Sequence, residues 1–230
     1  MSDFWTGAEP THASPYWPYR KVVEADTLAG MEQMPYIVCR YLMDLPDGTG
    51  YIPPTDNSFP RVRLKKLLYY DGPLPLNQPC PTPEQIRKLF YDPENPDIPP
   101  DPDHGYRIYP QNMVEQSVAA SKSFIRVYMS DATTLESRGM FITRQYMIFD
   151  VLVNTSIESN TGMTASSRAY NIVQCIKEAT AGVNFGGDGP MTVGRITKID
   201  DERFNLGYKI YVYQDWSADA PNPYFTDKVL

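Results

Sequence analysis

Fifteen of the chain's 22 prolines fall between Pro46 and Pro110, and none lies between Pro110 and Pro190. Each proline fixes φ, removes a backbone donor and pushes the residue before it out of the helical region. The proline-dense half therefore admits only short elements joined by stiff connections. In the proline-free half, side-chain periodicity can be read over long spans, and the order there is strand, helix, strand, strand.

The strand from Thr143, TRQYMIFDVLV, puts Met147, Phe149, Val151 and Val153 on one face and Tyr146, Ile148 and Leu152 on the other. Asn154 to Thr164 reads as a polar loop. Ser166 or Ser167 then caps a helix running to about Ala181, which Gly182 ends, with Ala169, Ile172, Val173, Ile176 and Ala179 as its buried stripe. Beyond the turn Gly186 to Pro190, Met191–Ile199 and Leu206–Trp216 flank a short polar loop, which is hairpin patterning. The second of these strands is long and aromatic, so its edge needs cover from another element or another copy.

The first half reads less regularly. Residues 1–30, carrying Trp5, Tyr16, Trp17 and Tyr19, suit an aromatic, proline-containing arm. From Met31 the stripe Met34, Val38, Tyr41, Leu42 and Leu45 predicts a helix, with Pro35 in its first turn and Pro46-Asp47-Gly48 as its stop. Arg61–Tyr70 alternates charged and apolar residues and is expected to be a strand with one wet face. Thr82-Pro83-Glu84-Gln85 carries capping-box chemistry for a short helix with Ile86, Leu89 and Phe90 on its apolar side. The stretch from Asp92 to Gly105 mixes prolines with carboxylates and reads as an extended, solvated connector. Gly105–Tyr109 and Phe124–Met129 are two further strand candidates. These elements make an α+β fold: an antiparallel sheet with an N-terminal helix, a helix packed across it and a C-terminal hairpin. The expected division is an arm (1–30), one domain (31–216) with a proline-rich insertion at about 71–104, and a tail (217–230).

A net charge of -7 argues against broad nucleic-acid affinity, which depends on Lys and Arg gathered on one face. No apolar run approaches the roughly 20 residues of a spanning helix, and the first residues lack signal-peptide order, so no membrane partner and a cytoplasmic site of synthesis are expected. Cys39, Cys80 and Cys175 are isolated and odd in number, which predicts reduced thiols.

His12 and His104 are too far apart in sequence to read as a metal pair. The acidic residues from Asp92 to Asp103 lack the spacing of a calcium loop. No nucleophile elbow, zinc or phosphate-loop motif occurs, so no catalytic residue, metal or cofactor is expected. Asp150 is a carboxylate inside the apolar run Met147–Val153. Either it meets water at a strand end, or it pairs with an arginine such as Arg144 or Arg168, across a subunit boundary if need be. Together with Tyr211, Tyr213 and Trp216, these residues are the expected subunit interface.

The element order, with PYIVCRYLMDLP, YMIFDVLVNTS, SSRAYNIVQCIKEATAGVNF and MTVGRITKIDDERFNLGYKIYVYQDW, resembles the tail terminator or neck proteins of tailed bacteriophages. FPRVRLKKLLYYDGPLPLNQPCPTPEQ and GYRIYPQ are similar to phrases of phage neck proteins of like length. The resemblance implies a homo-oligomeric ring, a hexamer, that caps the tail tube protein and joins it to the head-completion (connector) protein. It implies a sheath contact if the tail is contractile, genomic DNA passing through the lumen without specific binding, assembly in the host cytoplasm and a final place in the virion. The long proline-rich insertion and the aromatic arm have no counterpart in small terminators. Competing readings are a head-completion or adaptor protein, a decoration module offering Trp5, Trp17 and Trp216 to carbohydrate, and an enzyme built on Asp150.

Overall fold

Two long strands from the proline-free stretch and a hairpin beyond Pro190 make most of one sheet, which a short strand before Pro110 completes. In the computed structural model, residues 28–45, 54–112, 123–134, 142–158, 167–185, 189–199 and 206–217 are described. They form α1 (Leu28–Leu42), α2 (Pro60–Tyr69), a 3-10 turn (Pro75–Asn77), α3 (Pro83–Leu89), β1 (Ile108–Tyr109), β2 (Ser123–Thr134), β3 (Ile142–Val153), α4 (Thr155–Glu158), α5 (Arg168–Thr180), β4 (Thr192–Ile199) and β5 (Leu206–Ser217). The proposed arm through residue 27, with His12, Trp5 and Trp17, lies outside the described residues, as does the tail beyond Ser217.

The sheet order is β1-β2-β3-β5-β4. All neighbours run antiparallel except β1 and β2, which pair in parallel with Ile108 opposite Ile125. The fold is α+β as expected, but the sheet is mixed rather than wholly antiparallel. Residues 110–122 supply the dozen or so positions that a parallel crossover needs. β1 is closed on its outer side by a bridge between Phe90 and Ile108, so among the described residues the edge with no strand paired to it is that of β4.

One sheet face carries Met147, Phe149, Val151 and Val153 from β3, Ile125 and Val127 from β2, and Ile210 and Val212 from β5. These pack with α1, α2, α3 and α5 in one core. The Ser167 hydroxyl accepts from the Tyr170 N–H to start α5, Gly182 closes it with φ +83°, and the Tyr41 hydroxyl donates to the Ala179 carbonyl at 2.7 Å, tying α1 to α5. α3 has the full capping box, Thr82 and Gln85 each satisfying the other's backbone N–H.

Five local expectations are corrected. α1 begins at Leu28, inside the span assigned to the arm, so Pro35 sits in its interior, where it leaves the Met31 carbonyl without its usual donor. The helix stops before Pro46: Asp44 adopts φ +51°, the Asp44 N–H reaches the Tyr41 carbonyl and the Leu45 N–H reaches that of Arg40, each at 3.1 Å. That left-handed cap ends the helix by its own hydrogen bonds. Pro46–Gly48 lie outside the described residues.

Arg61–Tyr70 is helix α2, not a strand. Pro60 takes the first helical position, and Arg61 and Lys65, four apart, share one face instead of alternating with water. Both are buried beside Asp44: Lys65 Nζ lies 2.7 Å from its carboxylate, and Arg61 pairs with the other oxygen while covering the Tyr41 ring at 4.6 Å. Arg63, on another side of the helix, pairs with Glu178 of α5.

The Asp92–Gly105 connector is folded into turns. Asp92 accepts from the Glu94 N–H, Asp101 accepts from the Asp103 and His104 N–H groups, and the Tyr106 hydroxyl donates to the Ile98 carbonyl at 2.6 Å. His104 is half-buried, 2.7 Å from Asp101 and against the Tyr69 ring. Within the loop after β3, residues Thr155–Glu158 make one helical turn.

Candidate functional site

Because side chains alternate across a strand, the second parity of every long strand emerges on the sheet face opposite the helices. Three zones follow one another along the strands on this face. At one end Tyr109, Phe124 and Leu152 cluster with Tyr91, Tyr106 and Ile199. Gly207 lies opposite Leu152, where a Cβ would come within 2.6 Å of the Leu152 Cδ2 and 3.0 Å of the Val151 carbonyl oxygen.

In the middle zone Asp150 is buried between β2 and β5. Its Oδ2 accepts from Arg126 Nη2 at 2.8 Å and from the Tyr128 hydroxyl at 3.1 Å, and its Oδ1 lies 3.5 Å from Lys209 Nζ. Lys209 also donates to the Tyr128 oxygen at 3.2 Å, so three strands are cross-tied by one network. Burial raises the Tyr128 phenol above its ordinary value, the Lys209 hydrogen bond opposes that, and the Asp150 charge adds to it. Burial works to lower Lys209, but its bond to Tyr128 and the Asp150 charge outweigh this and raise it.

At the far end Arg144 makes a two-pronged pair with Asp215 at 2.8 and 3.0 Å and lies 4.2 Å over the Tyr213 ring. The bond to Asp215 raises Arg144 against the effect of burial, so this guanidinium keeps its charge. Beside the pair, Tyr146, Gly194, Arg195, Tyr211 and Tyr213 line a recess of about 320 Å³. Gly194 sits at a bulge between Val193 and Arg195, and having no side chain of its own it leaves the space beside Tyr211 and Tyr213 unfilled from β4.

Of the residues named from sequence, Arg144, Asp150, Tyr211 and Tyr213 are brought to this face. Asp150 is paired, but within the protomer and with Arg126 and Lys209, not with Arg144 or Arg168. Arg168 is corrected outright. It is fully buried on the helix side, donating to the carbonyls of Ile157, Leu67, Tyr70 and Gly72, so it cannot present itself to a neighbour. Trp216 projects into the helix-side core and is 4 % exposed. Arg126, Tyr128, Arg195 and Lys209 also lie on this face, as does Tyr146, and none of them is among the expected interface residues. For Arg126, Tyr128 and Lys209 the signal is parity: polar and tyrosine residues recur at every second position in FIRVYM and in KIYVYQD. Among the described residues, no group of three His, Cys, Asp or Glu side chains is placed to hold a metal ion, and no helix is long and apolar enough to cross a membrane.

Among the described residues, helices on one side of a mixed sheet and a tyrosine and arginine face on the other define a two-layer α+β protein. The YomW family model matches residues 62–213, from α2 into β5, and the chain belongs to that family, which is phage-associated. No curated protein matches the chain.

Proposed function

We propose that the protein is a non-enzymatic structural component of a tailed-phage virion, the terminator ring that caps the tail tube and joins it to the head-completion proteins. The observation that carries this reading is the sheet face that bears no helix among the described residues, with its recess, ending at a β4 edge where Ile196 is 41 % exposed. A surface of this kind gains by contact with protein, since strand edges and flat aromatic faces favour association. Membership of a phage-associated family supports it. So does the net charge of -7, which suits a channel through which DNA slides unbound. A closed ring, a hexamer in this reading, is strong because its last contacts form at high effective concentration.

Imaging of particles carrying a tagged copy tests the proposal. A ring at the tail-tube end, and unjoined heads and tails when the gene is disrupted, are the expected results. A tag found on the capsid surface, or particles that join normally without the protein, defeats it. A position one ring nearer the capsid favours the head-completion alternative. The carbohydrate reading loses Trp216, whose ring is in the core and offers no face to a sugar.

A further inference from the structure

The two ends of the sheet are complementary to each other. At the β1 end the connector carries Asp97 and Asp103, both exposed, among the exposed prolines Pro96, Pro99 and Pro100, and residues 92–106 contain no Lys or Arg. At the β4 end the strand Thr192–Ile199 carries Arg195 on the recess face, opposite Tyr211, and contains no carboxylate. Arg195 is exposed at the mouth of the recess walled by Tyr146, Tyr211 and Tyr213. Four strand spacings separate the ends, about 19 Å, so the connector of one molecule is remote from its own recess.

Proline rings pack favourably on tyrosine faces, and proline-rich segments bind aromatic-lined grooves because little chain entropy remains to be lost. The connector is already ordered by its own hydrogen bonds. The Ile98 N–H reaches the Asn95 carbonyl at 3.2 Å and the Gly105 N–H that of Asp101 at 2.8 Å, so docking it costs little further ordering.

We propose that copies of this chain join head to tail, the acidic proline connector of one molecule seating in the tyrosine and arginine recess at the β4 end of the next. The contact uses different surfaces on the two partners, so it propagates around a ring instead of stopping at a dimer. The β1 edge is closed by Phe90, which excludes joining one sheet to the next through β1 and leaves the connector as the complementary surface at that end. This inference rests on the ring reading above and assigns its interface.

The test compares the full chain with Arg195→Glu, with the pair Asp97→Lys/Asp103→Lys, and with Gly194→Leu. The last fills the recess without changing charge, since a Cβ there meets only ordinary contacts at 3.5 and 3.6 Å with Tyr211 and Tyr213. All of these positions are exposed, and thermal melts confirm that each variant folds. Mass photometry with and without tail tubes then reads assembly. Each variant alone is expected to lose the ring species, and mixing Arg195→Glu with Asp97→Lys/Asp103→Lys is expected to restore it, because the reversed charges match. Raised salt weakens the wild-type ring. Folded variants that assemble like wild type overturn the inference and leave the ring reading standing, with its interface elsewhere. A mixture that fails to assemble also overturns it. Wild-type protein that stays monomeric even at tail-tube ends removes both.

Discussion

Removing the charge of Asp44 without changing its shape is expected to be the most damaging conservative substitution in the helical layer. Asp44 is the anion for two buried cations of α2: Arg61 and Lys65 have side chains 5 % and 3 % exposed, and the Asp44 side chain is 0 % exposed. In Asp44→Asn the amide is nearly isosteric, and Asn tolerates the positive φ of this position, so the cap geometry survives and the change is electrostatic. Breaking a buried pair by removing one partner costs about 3–5 kcal/mol. Here two cations lose one anion, but Arg61 keeps its 3.2 Å bond to the Tyr41 carbonyl and its place over the Tyr41 ring, so a value near 4 kcal/mol is expected. In a protein of this size that lowers Tm by about 8–16 °C. The assay is urea and thermal unfolding followed by circular dichroism, run beside Asp44→Asn/Lys65→Met. Replacing the stranded ammonium by an apolar side chain of similar length should recover at least half of the loss. A cost for Asp44→Asn below about 1 kcal/mol, or no recovery in the double variant, would refute the argument that this triad is held by its charge balance.

Gly207→Ala should destabilise by about 1–3 kcal/mol through crowding against Leu152 and the Val151 carbonyl, with less than additive loss when combined with Leu152→Ala; denaturant titration of the four-variant cycle measures it. Thr82→Ala should cost about 1 kcal/mol by breaking the α3 capping box, while Thr82→Ser keeps nearly all of it. Burial pushes the Cys175 thiol up to about 12 from 9.0. The folded state therefore favours the protonated thiol, and the corresponding stability is complete below pH 9 and lost as pH rises towards 12. Urea midpoints across that window should fall more steeply for wild type than for Cys175→Ala. In the native protein a disulfide-exchange reagent should label half-buried Cys80 well before buried Cys39 and Cys175.

The elements that sequence anticipated correctly are those governed by their own side chains. The two faces of β3, the α5 stripe with its Ser167 start and Gly182 end, the capping box of α3 and the β4–β5 hairpin all rest on periodicity or on contacts within four residues. α2 was misread because RVRLKK satisfies a period of two if its cations face water, and only the presence of Asp44 at the end of α1 makes it favourable to bury Arg61 and Lys65 on a helix. The site was half legible for a related reason. Asp150 stands out as a charge in an apolar strand, yet its partners Arg126 and Lys209 are set by strand order and register, since Arg126 and Lys209 lie directly opposite it on β2 and β5. Arg168 is expected from sequence as a partner of Asp150 or a subunit-interface residue. Its surroundings come instead from the turn after α2, whose carbonyls it satisfies.

Sequence alone thus determined where the chain can carry long strands and a long helix, because proline content and side-chain period act locally, within a few residues. It also determined which parity of each strand is polar. Which strands become neighbours, that β1 joins in parallel, and that its edge is capped by Phe90 were decided by the tertiary structure. Those choices depend on contacts between residues far apart in the chain, where burial of apolar surface and the need to neutralise each enclosed charge act on the whole assembly of elements at once.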